Sequence, residues 1–187
     1  MVYAAALYHD IGKKMIPICI RCKPGSLTER ERFLMQAHTM MGYSLLLRFE
    51  SKLGISAIVA LQHHERLDGS GYLGLRDFEI HPHAKLVAVA DVFDALLSPR
   101  PYKNPWSIRR VCDHLAGLSG AQMDATIVNL LLENTPRVLA LYREETRISA
   151  KMRISTPYTH SERSELAHAA ARRTTHYPLA DRVWGSA

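Results

Sequence analysis

The chain has 187 residues, of which 47% are hydrophobic, and no apolar run approaches the roughly 18 residues that a membrane span requires. This composition predicts one globular domain with a tail and excludes a membrane-spanning protein or a membrane partner. The formal charge of +6 is compatible with an anionic ligand but equally with ordinary solubility, so we predict no DNA or RNA polymer as a partner.

Cysteine usage favours a reducing compartment. Three cysteines and the lack of a signal peptide argue for the cytoplasm rather than for a disulfide framework. Cys19 and Cys22 form a C-x-x-C pair, but a structural zinc site needs four ligands and the one other cysteine is Cys112. We therefore interpret this pair as a coincidence and predict a cytoplasmic protein.

The chain begins in helix-forming residues without a capping residue, and Gly12 with two following lysines supplies a stop. This pattern predicts a helix over residues 1–14 whose beginning is absent, so we expect the N-terminal helix to be truncated. Residues 15–27 contain two prolines and a glycine and are typical of a loop.

A second helix is predicted from Thr28 to about Phe49. Thr28 and Glu31 have the spacing of a capping box, in which each side chain satisfies a backbone amide at the helix start. His38 lies on the inner stripe of this helix, and Gly42 on the same face would let another backbone or a ligand come close. The apolar residues of the stripe are Leu34, Ala37, Met41 and Leu45.

Residues 55–61 are apolar and lack glycine, proline and charge, which predicts a buried helix that ends in His63 and His64. Residues 67–81 are then predicted to form a loop. Pro82 suits the first turn of another helix, which would extend through Leu97.

The inner stripe of this helix carries a carboxylate. Its apolar members are Ala84, Val87, Ala88 and Ala95, and Asp91 lies among them. Burying an ionised carboxylate costs several kcal/mol unless it is paired or binds a metal. Asp91 is therefore expected to have a cationic neighbour.

Three more helices complete the predicted domain. Asn104 and Pro105 would cap a helix to about Leu118, Asp124 one to about Glu133, and Thr135 with Pro136 one to about Ile148. We thus predict an all-α bundle of six to seven helices over residues 1–148. Residues 149–187 lose helical periodicity and are predicted to be a mostly disordered tail, with one helical turn near Glu162 to Arg172.

The inward-facing polar residues come from four predicted helices, and all are metal-ligand types: His9, Asp10, His38, His63, His64 and Asp91. Nitrogen and oxygen donors without thiolate suit iron, manganese, zinc or similar ions, and two carboxylates allow a bridge between two metals. Such a centre predicts a phosphohydrolase. Taken singly, His38 would more often be a hydrogen-bonded core residue and Asp91 could pair with an arginine. The histidine pair could likewise have one packed and one solvated ring, but the joint occurrence favours a metal.

Six motifs resemble, in order, those of the HD-GYP domain of the HD phosphohydrolase superfamily. They are HDIGK at 9–13, KPGSLT at 23–28, H-x-x-x-G at 38–42, HHERLDGSGY at 63–72, ADVFDA at 90–95 and RPYK at 100–103. The resemblance covers about residues 1–145. It implies an all-helical domain that binds two or three divalent metal ions, usually iron or manganese, and hydrolyses cyclic di-GMP to pGpG or GMP through a metal-activated hydroxide.

The same resemblance assigns roles to individual residues. It implies that the six polar side chains named above are metal ligands, with Asp10 as the bridging carboxylate. Lys13 would contact the scissile phosphate or its leaving oxygen. Arg100 and Lys103 would hold substrate phosphates through charge-assisted hydrogen bonds, although both could instead be solvated loop residues.

Gly69, Gly71 and Tyr72 match the loop that names the family, where glycines permit unusual backbone angles. Leu73 stands where the family has a proline. This loop is implicated in partner contacts, including contacts with GGDEF-domain proteins, so Leu73 bears on partner binding more than on metal binding.

The chain departs from the family in a second way. A further histidine ligand, and in some members a glutamate, comes from an upstream helix, and residues 1–8 contain neither. Two alternatives to the phosphodiesterase therefore remain: a degenerate module that binds nucleotide or protein partners without turnover, and an HD hydrolase of another phosphate ester. His81 and His83 match no family ligand and are predicted to be surface residues.

Overall fold

The computed structural model describes residues 2–98 and 104–154, and for residues 50–52 and 145–154 it describes the backbone alone. Within these ranges nine α-helices and no strand form, which confirms the predicted all-α class. The helices are α1 Val2–Tyr8, α2 Ile18–Arg21, α3 Glu29–Gln36, α4 His38–Leu47, α5 Glu50–Gln62, α6 Pro82–Leu97, α7 Ile108–Leu118, α8 Ala125–Glu133 and α9 Thr135–Ile154. Two 3-10 turns, Ile11–Met15 and Asp77–Glu79, lie between them. No helix of the described residues is long and apolar enough to cross a membrane.

The chain divides into two compact units, Met1–Thr135 and Pro136–Ala187. The described part of the second unit is the remainder of α9, which continues to Ile154 and so extends past its predicted end near Ile148. Residues 149–154 are therefore helical rather than part of a disordered tail. The other tail residues, including the turn predicted near Glu162 to Arg172, lie outside the described residues.

The helix predicted from Thr28 to Phe49 is two helices, α3 and α4. Its capping box is present, because the Thr28 hydroxyl accepts from the Glu31 amide at 3.3 Å and the Glu31 carboxylate accepts from the Thr28 amide at 2.8 Å. The break at Ala37 has a side-chain cause: the His38 ring donates to the Met35 carbonyl and the Thr39 hydroxyl to the Gln36 carbonyl. These bonds occupy carbonyls at the end of α3.

The break also changes which face of the segment is buried. The predicted apolar stripe was wrong for Leu34, which is 39% exposed, and its other members are only half-buried. The residues of α4 that are buried instead are His38, Thr39, Gly42 and Leu46. The prediction that His38 points inward is confirmed.

Helix α5 lies at the centre of the first unit, as its apolar sequence predicted. On one side Val59 packs with Ala5 of α1 and with Ala84 and Val87 of α6. On the other side Ala57 and Ala60 pack with Leu46 of α4. Small residues at both contacts let the helices approach closely, and burial of their apolar surface fixes the direction in which the end of α5 points.

Helix α6 has its predicted bounds, and its buried residues include Phe93 and Val89 beside most of the predicted stripe. The predicted cap of α7 was wrong: α7 begins after Ser107, whose hydroxyl accepts from the Arg110 amide. The physical reason is that the Trp106 amide donates to the Leu96 carbonyl at 2.9 Å, which ties this segment to the end of α6, so that Ser107 supplies the cap instead. Asp124 does cap α8, because its carboxylate accepts from the Ile127 amide at 3.1 Å.

Candidate metal centre

The first site residues stand where α1 ends. His9 follows the helix, and its Nδ1 donates to the Ala6 carbonyl at 2.6 Å. Asp10 precedes the 3-10 turn Ile11–Met15. Gly12 in this turn is buried, and a β-carbon on it would lie 2.0 Å from the His38 carbonyl oxygen and 2.6 Å from the Gly42 amide nitrogen. The turn therefore rests backbone against backbone on α4, as the glycine at position 42 predicted.

Four of the predicted ligands form one tight group. Asp10, His38, His63 and His64 each offer a donor atom, and these atoms all lie within 4.8 Å of one another. Asp10 Oδ1 is 3.3 Å from His38 Nε2 and 3.5 Å from His63 Nε2. The two Nε2 atoms are 3.4 Å apart, and both rings are almost fully buried. Three separate segments of the chain thus bring donors to one point.

Backbone carbonyls fix which ring nitrogen faces this point. His38 Nδ1 is 2.6 Å from the Met35 carbonyl, and His63 Nδ1 is 3.0 Å from the Ala60 carbonyl. A carbonyl only accepts, so each Nδ1 carries the proton and each Nε2 has a lone pair to offer. Histidine ligands of metals are typically oriented in this way.

The other two predicted ligands, His9 and Asp91, lie beside the four-residue group rather than within it. His9 Nε2 is 3.4 Å from Asp10 Oδ2 and 3.7 Å from Asp91 Oδ1. Burial lowers the pKa of His9, but the nearby carboxylates of Asp10 and Asp91 outweigh it and raise the pKa to about 10. His9 is therefore the cationic neighbour that Asp91 was expected to need.

The protonation states suit metal binding. Burial favours the neutral acid at Asp10, yet close contacts with the His38 and His63 rings hold its pKa far below the usual range. Burial, together with electrostatic interactions with the neighbouring His63 and His38 rings, lowers the pKa of His64 to about 3. At neutral pH the group therefore offers a carboxylate and a neutral imidazole without first losing a proton.

Two donor atoms lack protein partners. His9 Nε2 and Asp10 Oδ1 are buried and make no hydrogen bond within the described residues. Buried polar atoms are nearly always satisfied, so such a pair at one point indicates a missing partner. Nitrogen and oxygen donors without sulfur suit divalent iron, manganese or zinc, and the site therefore fits a divalent cation.

Lys13 lies at the mouth of the group. Its ammonium nitrogen is 2.5 Å from Asp10 Oδ2, and its side chain is 35% exposed. The Lys13 ammonium group therefore contacts both the Asp10 carboxylate and solvent. The two predicted phosphate-binding residues, Arg100 and Lys103, lie outside the described residues.

The glycine-rich loop covers the other side of the group. Gly69 has a φ of +81°, a conformation that favours glycine. Tyr72 packs against His64 in a tilted arrangement, with ring centroids 4.7 Å apart, and it approaches His38 edge-on at 6.4 Å. Leu73, in place of the family's proline, is 42% exposed.

The remaining candidates stay away from the group. Cys19 and Cys22 are exposed and free, which agrees with their interpretation as a coincidence. His81 and His83 are half-buried rather than at the surface, because the His81 ring caps α6 by accepting from the His83 amide. Gly12 was predicted only to be a helix stop, although a glycine inside the H-D-x-G-K motif could have suggested a close backbone contact.

Comparison with known proteins agrees with this site. A family model described as HD domain matches residues 1–127. A relative from Xanthomonas campestris, named cyclic di-GMP phosphodiesterase response regulator RpfG, is 40% identical over 153 residues, which are 81% of this chain and 40% of the relative. A cyclic di-GMP phosphodiesterase from Thermotoga maritima is 44% identical over 143 residues, 75% of this chain and 39% of the relative.

A third relative, from Vibrio cholerae, is named 3'3'-cGAMP-specific phosphodiesterase 2 and is 37% identical over 143 residues, 75% of this chain and 27% of the relative. The chain thus spans about two fifths or less of the length of these curated relatives. HD domains typically bind divalent metals, and the four-residue group is suited to one. The match over residues 1–127 confirms the family predicted from the motifs: the chain belongs to the HD domain family.

Proposed function

We propose that the chain is a metal-dependent phosphodiesterase that hydrolyses cyclic di-GMP to pGpG or GMP. The observation that carries this proposal is the group of four donors from Asp10, His38, His63 and His64 within 4.8 Å. Two relatives that are 40% and 44% identical to the chain over the aligned residues are named cyclic di-GMP phosphodiesterases, which supports this choice of substrate.

The donor set fits two or three divalent ions, with iron or manganese as the preferred metals. Asp10 would bridge two of them, since its Oδ1 faces His38 and His63 while its Oδ2 faces His9. His64 would complete the first set of ligands and Asp91 the second. The bound metals would polarise the phosphate and lower the pKa of water so that hydroxide is available at neutral pH.

The chain's own residues bind and orient the phosphodiester. The Lys13 ammonium at the mouth of the group would hold a phosphate oxygen by a charge-assisted hydrogen bond and give its proton to the leaving oxygen. Arg100 and Lys103, which follow α6 in the sequence, would hold the substrate's phosphates. Burial of His38 and His63 keeps water from competing for their nitrogens.

Two other functions compete with this one. A degenerate module that binds nucleotide or protein partners without turnover is favoured by Leu73, which stands where the family has a proline. Hydrolysis of another phosphate ester is favoured by the relative named for 3'3'-cGAMP. Contact of the Tyr72 loop with GGDEF-domain proteins and a cytoplasmic location also remain proposals.

The test is a turnover assay with a matched carboxylate control. The purified chain is loaded with Mn²⁺ or, without oxygen, with Fe²⁺, and cyclic di-GMP and 3'3'-cGAMP are each offered while products are separated by chromatography. We expect cyclic di-GMP to be hydrolysed faster. Asp10→Asn should reduce kcat at least about 100-fold, because the bridging charge is lost.

The control is Asp113→Asn, which removes an exposed carboxylate of α7 and should leave kcat within about twofold. Binding of cyclic di-GMP by the metal-loaded chain without any product would contradict the enzyme and favour the module. Preferential cleavage of 3'3'-cGAMP would show that the proposed substrate is wrong, although the reaction would still be hydrolysis of a phosphodiester.

A further inference from the structure

Glu65, directly after the histidine pair, anchors the glycine-rich loop. Glu65 is buried, with only 6% of its surface exposed. Oε1 accepts from the Leu73 amide at 2.8 Å and Oε2 accepts from the Leu75 amide at 2.9 Å. Because each oxygen is used by a backbone amide and Glu65 lies outside the four-residue group, it acts on the loop rather than as a donor to a metal.

Gly71 brings this loop into direct contact with Glu65. A β-carbon on Gly71 would lie 2.5 Å from the Glu65 α-carbon and 2.8 Å from Oε2. A β-carbon does not approach non-bonded atoms this closely, so the loop packs against this residue with no room for a side chain. The segment from Gly71 to Leu75 is thus held at its start by packing and at its end by two hydrogen bonds.

Tyr72 lies inside the held segment and contacts His64. The two ring centroids are 4.7 Å apart with an angle of 42° between the planes. His38, His63 and His9 each have Nδ1 bonded to a backbone carbonyl, but no hydrogen bond reaches the His64 ring among the described residues. Contacts with Tyr72 and with the His63 ring, 4.1 Å away, orient His64 instead.

We propose that Glu65 is a positioning residue that orients the His64 imidazole through Tyr72. The carboxylate holds the loop, the loop holds the Tyr72 ring, and this ring packs against a donor that lacks a backbone anchor. The consequence for metal binding rests on the proposed function, whereas the orientation of the ring does not. The other three histidines each have a hydrogen bond to a backbone carbonyl that does not involve Glu65.

The test is long-range ¹H–¹⁵N NMR of the histidine rings in the metal-free protein. Glu65→Gln keeps the size of the side chain but leaves one acceptor for two amides, so one amide faces an NH₂ group. We expect the His64 ring signals to shift or broaden while those of His38 and His63 stay in place. Tyr72→Leu should move the same His64 signals without disturbing the Leu73 and Leu75 amides.

Glu79→Gln is the matched control, since Glu79 also accepts from a loop amide, that of Arg76, but does not hold Tyr72. Its His64 signals should be unchanged. Unchanged His64 signals in Tyr72→Leu would overturn the proposal, and so would equal shifts of all ring signals in Glu65→Gln, which indicate general loosening of the fold. If Glu65→Gln does not fold, Tyr72→Leu alone decides.

Metal affinity gives the second readout. Glu65→Gln and Tyr72→Leu should each weaken Mn²⁺ binding about tenfold, as loss of residues that orient a ligand typically does. A wild-type protein that binds no metal would contradict the proposed function, yet a selective change at His64 in the metal-free spectra would still support this role of Glu65. The two proposals therefore fail separately.

Discussion

A β-carbon on Gly12 would stand 2.0 Å from the carbonyl oxygen of His38, so these two residues meet without any space between their backbones. The contact seats the turn that follows Asp10 on the helix that carries His38. It thereby sets the 3.3 Å separation of Asp10 Oδ1 from His38 Nε2. The site depends on this close contact because one donor comes from each side of it.

Gly12→Ala should therefore destabilise the protein by about 1–3 kcal/mol and weaken metal binding, since the added methyl group separates the turn from α4. Chemical denaturation and a Mn²⁺ titration measure the two effects. Gly117→Ala in α7 is the control, because a β-carbon there meets nothing within 4 Å. That variant should be neutral or more stable by about 0.5–1 kcal/mol, as alanine favours helix over glycine. Equal stabilities of the two variants would show that the contact is unimportant.

His63→Ala should abolish metal loading, because it removes a buried nitrogen from the four-residue group. Asp91→Ala should also abolish metal loading, because we propose that Asp91 belongs to the second set of ligands. Metal analysis of the dialysed proteins measures the result. Cys19→Ser removes an exposed, free thiol outside the group and should leave the metal content unchanged. Loss of metal in the cysteine variant would mean that the ligand set is wrong.

Lys13→Met should reduce kcat about 100-fold while the metal content stays the same, because it removes the phosphate contact and the proton donor but no metal donor. Steady-state kinetics with cyclic di-GMP, together with metal analysis, measure both. Lys14→Met, at the exposed neighbouring position, should keep kcat within about twofold. Full activity of the Lys13 variant would show that the Lys13 ammonium takes no part in the reaction.

Ala5→Leu should destabilise the fold by about 1–3 kcal/mol. Ala5 of α1 is fully buried against Val59 and Ala84, so there is no room for three more carbons. Thermal unfolding followed by circular dichroism provides the measurement. Ala6→Leu adds the same atoms at an exposed position of the same helix and should change stability by less than about 0.5 kcal/mol. Similar melting temperatures for both variants would contradict the packing of α1 on α5.

Much of the fold could be predicted because its signals are local. The capping box of Thr28 and Glu31, the Asp124 cap and Pro82 each mark a helix start through a bond or a dihedral angle within a few residues. The division of α3 from α4 was missed because it depends on side-chain bonds from His38 and Thr39 to carbonyls three residues back. A helical pattern of apolar residues does not reveal such competition.

The site was predicted as a set of residue types on inward faces, and the structure brings four of the six into one group. The position of His9 and Asp91 beside that group was not predictable, because it depends on the angle at which α1 meets α6. Glu65 and Gly12 were missed for a related reason. Each acts through contacts with backbone atoms, and neither stood out as a possible metal ligand on the inner face of a predicted helix. Their presence inside the motifs was the available signal.

We propose above all that Asp10, His38, His63 and His64 hold a divalent metal. The most direct test is anomalous diffraction from crystals of the protein grown with Mn²⁺. We predict a peak about 2.0–2.3 Å from donor atoms of these four residues, with a second peak between Asp10 and His9. A structure in which the four side chains contact each other with no metal between them, or in which manganese binds elsewhere, would contradict the claim.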